Sequence, residues 1–232
     1  MLCNQYFALR HGLSIPNIKK IIVSTPEHGT AIGNGLSPEG VMQAEQLDLS
    51  VLLRDDRPLV IISSDFTRAL QTALIIHSRL SQLQPLQQDN KMLHPDHQTF
   101  QPLHPDHQTL QPLRDHCAQV QPKLVTSEQL RERNFGELEH TSNENYEKVW
   151  KEDELDPNHQ EFQVESVSSV ATRVQKLIDT LEQDYKGHKV ILVSHGDTLQ
   201  ILQAQVFSHG KVAISQHRYL PHLNTCELRA LN

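Results

Sequence analysis

Residues 4–12, with the sequence NQYFALRHG, decide the fold of this chain. The apolar run YFAL is long enough for a buried strand and too short for a buried helix. It stops at Arg10, His11 and Gly12, which are a cation, a titratable nucleophile and a residue that tolerates unusual backbone angles. Ligands of open α/β sheets bind in the crevice beyond the carboxyl ends of the strands. The stretch therefore predicts a buried strand that delivers a polar site.

A second stretch of the same kind lies near the other end of the chain. Residues 189–196 read KVILVSHG, a buried apolar run that ends in Ser-His-Gly. Two strands that each end in His-Gly predict that His11 and His195 meet at one pocket, with Gly196 beside it.

The remaining apolar segments alternate between short runs typical of buried strands and the 3.6-residue spacing typical of amphipathic helices. Short apolar runs predict further strands at 58–63 and 123–129 and an edge strand at 224–231, and amphipathic spacing predicts helices that begin near Ser37 and span 66–83, 142–151, 167–185 and 198–207. Strands that alternate with helices form a sheet covered on both faces. The expected fold class is therefore α/β, a three-layer α/β/α sandwich with a mostly parallel central sheet.

Residues 93–122 consist of a ten-residue repeat, LHPDHQTFQP, LHPDHQTLQP and the diverged LRDHCAQVQP. Two prolines per unit exclude a regular helix or a central strand. We expect residues 84–122 to be a mostly disordered surface insert in a single domain of residues 1–232. The repeat also carries two His-x-x-His pairs, but a solvated low-complexity segment lacks the oriented ligands of a zinc site. The pairs are His94 with His97 and His104 with His107.

The bulk composition excludes several classes of function. A net charge of −7 argues against a nucleic-acid-binding protein, which needs a basic face. The three cysteines are far apart and form no Cys-x-x-Cys pair, so neither a disulfide framework nor a zinc site is indicated, and a cytoplasmic location fits best. No signal peptide and no apolar run of about 20 residues is visible, so no membrane partner is expected. The oligomeric state stays open.

Arginine and helix geometry point to an anionic ligand. Arg68 lies in the first turn of the predicted helix 66–83, after a Ser-Ser-Asp cap. A helix N-terminus offers free N–H groups and the positive end of a dipole. The guanidinium groups of Arg68 and Arg10 match phosphate oxygens with paired donors, which lysine cannot do. Two arginines, two histidines and two helix N-termini therefore suit a phosphoryl group.

These features, in this order, resemble the histidine phosphatase superfamily, also called the phosphoglycerate mutase-like family. The resemblance covers nearly the whole chain outside residues 84–122. An Arg-His-Gly triplet alone carries little weight, whereas the full set in its strand-and-loop context is specific. The matching parts are Arg10-His11-Gly12, Asn17, Ser63-Ser64-x-x-x-Arg68-Ala69-x-Gln71-Thr72-Ala73, Leu130-x-Glu132-x-x-Phe135-Gly136, Glu165-Ser166 and Ser194-His195-Gly196.

The resemblance implies a covalent mechanism without a metal or other cofactor. His11 would attack phosphorus in line and become phosphohistidine, which requires a neutral ring. Nearby guanidinium groups lower the pKa of a histidine and favour that form. Arg10, Arg68 and His195 would hold the phosphoryl oxygens and offset the charge that builds on them.

The resemblance also assigns the proton donor and the remaining phosphate ligands. Glu132 would protonate the leaving group and then take a proton from the water that hydrolyses the phosphoenzyme. It matches the family position, whereas spacing alone does not separate it from Glu137 and Glu139. Asn17 would donate a further hydrogen bond, although asparagine also favours ordinary turns. Gly196 would lie against the phosphate.

Three functions remain open at this point. The first is a histidine acid phosphatase-type hydrolase that removes phosphate from a small phosphorylated metabolite. The second is a mutase of the phosphoglycerate type, and the third is an inactive relative that only binds. Residues 134–171 contain only Lys148 and Lys151 as fixed cations among many acids, which disfavours a second anionic group. No catalytic residue is missing, so hydrolysis is the favoured prediction. In this family, specificity resides in the loops that here are 13–35 and 134–165.

Overall fold

The computed structural model describes residues 2–83 and 122–232, which contain a five-stranded sheet of order β3-β2-β4-β1-β5. The pairs β1–β4, β4–β2 and β2–β3 are parallel, and β5 is antiparallel to β1. The strands are β1 (Gln5–Arg10), β2 (Leu59–Ser63), β3 (Lys123–Thr126), β4 (Lys189–Ser194) and β5 (Leu228–Ala230). The mostly parallel sheet with an edge strand at the C-terminus confirms the predicted fold class.

Seven α-helices occur in the described part of the chain. They are α1 (Ile15–Lys19), α2 (Pro26–Gly29), α3 (Pro38–Gln46), α4 (Thr67–Leu83), α5 (Tyr146–Leu155), α6 (Val167–Asp184) and α7 (Gly196–Leu202). Across residues 2–83 and 122–232, no helix is both long enough and apolar enough to cross a bilayer. The predicted insert at 84–122 lies, apart from Pro122, outside the described residues.

Helices cover both faces of the sheet because successive strand residues point to opposite sides. Tyr6 and Ala8 of β1 belong to a core that is completed by α6 and α7. Phe7 and Leu9 of the same strand belong to a second core that is completed by α4. All four side chains are fully buried. Burial of a large apolar side chain contributes about 1.5–3 kcal/mol, so this strand anchors both layers.

The largest departure from the predicted elements is in residues 13–35, which contain two short helices rather than only loop. Ser14 caps α1 through a reciprocal capping box with Asn17, and Pro26 opens α2. At the other end of the chain, α7 begins at Gly196, earlier than predicted, and continues into a π-helical turn, Gln203–Phe207. These short elements position residues at the mouth of the site described below.

Gly136 has a left-handed backbone with φ +50°, and a Cβ there would run into the carbonyl oxygens of Phe162 and Gln163. We expect Gly136→Ala to lower the free energy of unfolding by about 2 kcal/mol or more, because backbone strain and a clash add. The control is Gly187→Ala, where φ is +67° but no described atom lies within 4 Å of the added Cβ. Its cost is about 1 kcal/mol, from strain alone. Equal losses for both variants in urea unfolding would contradict the steric argument.

Candidate active site

The pairing of β1 with β4 brings the two histidines together. The two strands are parallel and in register, with Arg10 opposite Ser194, so their carboxyl ends lie side by side. The amide of His11 donates to the carbonyl of Ser194 at 3.0 Å. As a result, the imidazole rings of His11 and His195 lie with centroids 5.1 Å apart. The structure thus brings into contact two rings that are far apart in sequence.

The ring of His11 is held so that Nε2 is the nitrogen that carries the lone pair. Its Nδ1 lies 2.8 Å from the carbonyl oxygen of Gly12, which only accepts, so Nδ1 carries the proton. Nε2 then has the lone pair, and it accepts from Nε of Arg68 at 3.2 Å. Burial, with the charges of Arg68 and Arg10, lowers the pKa of His11 well below its ordinary value. The ring is therefore neutral at neutral pH, with the lone pair on the nitrogen that faces the arginine.

Each of the two arginines uses one nitrogen of its guanidinium group to bond to the protein. Arg10 donates through Nη1 to His222 and to the carbonyl of Leu223, and Arg68 donates through Nη2 to the carbonyl of Val23. Within the described residues, the buried atoms Nε of Arg10 and Nη1 of Arg68 have no hydrogen-bond partner. Buried unpaired donors are unusual and suggest a ligand that completes them. The pattern fits an oxyanion.

His195 completes the same set. It is fully buried, its Nε2 lies 2.9 Å from Oγ of Ser64, and its Nδ1 is a buried atom with no partner among the described residues. Burial and the charge of Arg68 lower the pKa of His195 well below its usual value. Ser64 also accepts from the amide of Phe66 just before α4, whereas Asp65 pairs with Arg131. The Ser64 bond therefore closes a turn before the helix and does not cap it as predicted, because the first carbonyl bonded by the helix is that of Phe66.

Glu132 is buried close to these groups, and its environment differs from that of Glu137 and Glu139. Its Oε1 accepts from the amides of Arg133 and Thr198 at 3.1 and 3.3 Å. Burial and the charge of Asp197 nevertheless raise the pKa of Glu132 above its ordinary value. Glu139 is instead engaged by Ser24, Thr25 and His28, and Glu137 by Gln163.

One cavity of about 210 Å³ joins most of these groups, whereas His195 does not line it and adjoins it only through the contact of its ring with His11. Arg10, His11, Arg68 and Glu132 line it, and so do Asn17 and Gly196. Oδ1 of Asn17 accepts from the amide and hydroxyl of Ser14, which orients the amide group and leaves its Nδ2 as the donor. A Cβ on Gly196 would come within 3.0 Å of His222, so glycine permits a close approach there.

Eight further lining residues were not predicted as part of the site: Pro16, Ile21, Val23, Asn143, Tyr146, Trp150, Asp197 and His222. Asp197 accepts from Nε1 of Trp150 at 3.0 Å and contacts His217 and Arg133. Although burial disfavours its charge, the contacts with His217 and Arg133 hold the pKa of Asp197 below its usual value. Asp197 directly follows the Ser-His-Gly motif, and that adjacency was a signal for it. Nothing local in the sequence marks His222.

One group of possible metal ligands occurs among the described residues, and it lies outside the cavity. His28, Glu139 and His140 each place one donor atom within 4.8 Å of the others. His28 and Glu139 already form a 3.0 Å contact, and Glu139 also binds the Ser24–Thr25 backbone. This cluster connects α2 to the segment after Gly136. The histidine pairs of the repeat lie outside the described residues.

The fold and this arrangement of side chains describe an α/β protein with a pocket lined by histidine and arginine beyond the carboxyl ends of its parallel strands. A family model for the histidine phosphatase superfamily (branch 1) matches residues 6–106 and 91–231. The chain therefore belongs to the histidine phosphatase superfamily, as the sequence motifs predict. No curated protein sequence matches this chain at a significant level.

Several solved structures share the fold. A mycobacterial glucosyl-3-phosphoglycerate phosphatase is 19% identical with a TM-score of 0.63, over 97% of this chain and 88% of that chain. A putative α-ribazole-5′-P phosphatase from Escherichia coli is 17% identical with a TM-score of 0.60, over 98% and 89%. YhfR from Bacillus stearothermophilus is 14% identical with a TM-score of 0.59, over 97% and 89%. At these identities the likeness establishes the fold.

Proposed function

We propose that this chain is a metal-independent phosphomonoester hydrolase of the histidine acid phosphatase type that acts through a phosphohistidine on a small phosphorylated metabolite. The observation that carries the proposal is the state of His11. Its Nδ1–H is fixed by Gly12, and its Nε2 lone pair faces Arg68, so a neutral nucleophile adjoins two cations. This combination suits attack on a phosphoryl group, because the same arginines attract the anion and keep the ring neutral.

Each remaining group has a role that its geometry allows. Arg10, Arg68 and His195 bring three buried atoms without partners in the described chain, which would bind the equatorial oxygens. Charge is spread over those oxygens in the transition state, so donors that are already fixed around them stabilise it. Nδ2 of Asn17 and the backbone at Gly196 would complete the phosphate shell.

Glu132 would act first as acid and then as base. A carboxyl whose pKa is raised holds a proton at a higher pH than an exposed glutamate does, so it can protonate a leaving alkoxide. After the alcohol leaves, the resulting carboxylate would accept a proton from water as the water attacks the phosphohistidine. The transferred proton then regenerates the starting state of the site.

The structural neighbours support an oxyanion ligand. The mycobacterial glucosyl-3-phosphoglycerate phosphatase has also been solved with VO3 and with inorganic phosphate.

An expected cytoplasmic location and a single catalytic domain with an insert at 84–122 are part of the same proposal.

The mutase alternative requires a place for a second anionic group. Arg10 and Arg68 are the arginines that line the described cavity, and both adjoin His11. The third arginine of the region, Arg133, is fully buried in a two-point ion pair with Asp153. Asp197 brings a carboxylate to the cavity, and Glu132 brings a carboxyl that is an anion during part of the proposed cycle. This charge balance favours hydrolysis.

A panel of phosphomonoesters assayed with and without EDTA tests the proposed function. We expect release of inorganic phosphate that EDTA does not change, because the two arginines supply the positive charge at the site. Loss of activity with EDTA and its return with a divalent cation would replace the proposal with metal-assisted hydrolysis. Conversion of 3-phosphoglycerate to its positional isomer without phosphate release would establish the mutase instead.

A further inference from the structure

The part of the cavity beyond the phosphoryl-binding groups has mostly apolar walls. Ile21 and Val23 contribute from the segment that follows α1, Pro16 from α1 itself, and Tyr146 and Trp150 from α5. These residues belong to the loops 13–35 and 134–165, in which the family resemblance places substrate specificity. Their side chains, rather than charged groups, would face whatever is attached to the phosphate.

The aromatic wall is held in place before any ligand binds. Tyr146 and Trp150 are one helical turn apart, with ring centroids at 5.4 Å and planes inclined by 16°. Phe135 packs edge-on against Tyr146 at 4.7 Å, and the indole of Trp150 donates to Asp197 at 3.0 Å. A rigid aromatic surface binds flat apolar groups well, because little side-chain freedom is lost on binding.

Some polar groups around this wall are engaged by the protein, whereas Nδ2 of Asn17, the side-chain amide of Asn143 and the hydroxyl of Tyr146 have no hydrogen-bond partner among the described residues. Oδ1 of Asn17 accepts from Ser14, and both ring nitrogens of His222 are used by Arg10 and Gln200. Both carboxylate oxygens of Asp197 also have partners. A sugar or polyol needs a partner for each hydroxyl that it buries, and a hydroxyl left unpaired costs affinity.

Charge and size restrict the ligand further. A second anion would lie near Asp197 and Glu132, with no lining arginine in the described chain beyond the two at His11. The volume of about 210 Å³ must also hold the phosphoryl group. A cavity of about 150 Å³ is known to hold benzene, so the remaining space suits about one ring.

We propose that the substrate is a phosphomonoester of a small alcohol with a single aromatic ring and no second anionic group, the ring lying against Tyr146 and Trp150. This inference rests on the proposed hydrolysis for its kinetics but not for its binding. The phosphoryl group would occupy the arginine and histidine end of the cavity, and the ring the α5 end.

Benzyl phosphate, glycerol 3-phosphate and 3-phosphoglycerate test this directly. All three release aliphatic alcohols, so leaving-group acidity does not dominate the comparison. We expect kcat/KM for benzyl phosphate to exceed that for glycerol 3-phosphate by about 10-fold or more, as an aromatic contact with its buried area predicts. Equal values, or a preference for either of the other two esters, would overturn the proposal.

A variant pair separates the ring from the rest of the wall. Tyr146→Leu keeps an apolar side chain and removes the aromatic face, whereas Tyr146→Phe keeps the face. We expect the ratio of kcat/KM values for benzyl phosphate and glycerol 3-phosphate to fall about 3- to 10-fold in Tyr146→Leu and to be restored in Tyr146→Phe. A ratio that is the same in both variants and the wild type would refute a role for the ring.

Binding to the wild-type protein covers the cases in which a variant does not fold or no ester turns over. Benzylphosphonate and methylphosphonate carry the same non-hydrolysable anion, and calorimetry gives their dissociation constants without any reaction. We expect benzylphosphonate to bind about 10-fold more tightly. If it does while no ester is hydrolysed, the proposed activity fails and the ligand class stands. If the two affinities are equal while hydrolysis requires His11, the ligand class fails and the proposed activity stands.

Discussion

Replacing His11 with alanine is expected to abolish phosphatase activity, with a fall in kcat of about 10⁴-fold or more. The reason is that no other described side chain at the cavity offers a neutral ring nitrogen whose lone pair faces Arg68. His195 adjoins it, but its Nε2 contacts Ser64. Steady-state release of phosphate measures the loss. The covalent intermediate is measured separately, as acid-labile phosphohistidine trapped from rapidly quenched wild-type protein and absent from His11→Ala.

The matched control for this variant is His188→Ala. His188 directly precedes β4, at the opposite end of that strand from His195, and its ring contacts Tyr185 and the carbonyl of Lys186. We expect this variant to keep the activity and the trapped intermediate of the wild type. Activity that survives in His11→Ala, or a phosphoenzyme that still forms there, would remove His11 as the nucleophile.

The convergence of His11 and His195 is predictable because it depends on local signals. Each histidine follows an uninterrupted apolar run, and such runs form neighbouring parallel strands whose carboxyl ends share one edge. The glycine that follows each histidine leaves room for a close neighbour, the carbonyl of Gly40 at Gly12 and the ring of His222 at Gly196. By contrast, the position of β4 between β1 and β2 depends on how the two helical layers pack, and no local pattern encodes that order.

The helix α1 is absent from the predicted elements although its signal is present in the sequence. Ser14 and Asn17 form a capping box, with each side chain bonded to the backbone or side chain of the other. The sequence motifs indicate Asn17 only as a phosphate ligand or a turn residue. Its amide serves the cap through Oδ1 and lines the cavity, so one side chain fits both the structural and the ligand interpretation.

The residues that surround the predicted site are not accessible from local sequence. His222 contacts Arg10 at 2.7 Å because the segment before β5 crosses the end of β1. Arg133 is fully buried only because Asp153 and Asp197 arrive from two other elements. Each contact joins segments whose approach depends on the complete fold. A motif identifies the groups at a site more readily than it identifies the groups that hold them.

The second large effect is expected for Glu132→Gln, with a loss of about 100-fold or more in kcat for an alkyl phosphate. Glutamine keeps the shape of the side chain and its acceptor for the amides of Arg133 and Thr198, but it has no proton to give to an alkoxide. In the wild type, activity should fall as the pH rises through the pKa of Glu132, because the acid form is then lost. Since that pKa is raised by burial and by Asp197, this alkaline limb lies above the range of an exposed glutamate. The limb should be absent from Glu132→Gln.

The leaving group separates the two roles of Glu132. With 4-nitrophenyl phosphate the departing phenolate needs no proton, so formation of the phosphoenzyme in Glu132→Gln should be nearly as fast as in the wild type. Its hydrolysis still lacks a base, and we therefore expect a burst of nitrophenol equal to the enzyme concentration, followed by a slow steady state. Glu137→Gln is the matched control, because Glu137 contacts Gln163 and does not line the cavity. No burst, or an equal loss in the control, would assign the proton transfer to another group.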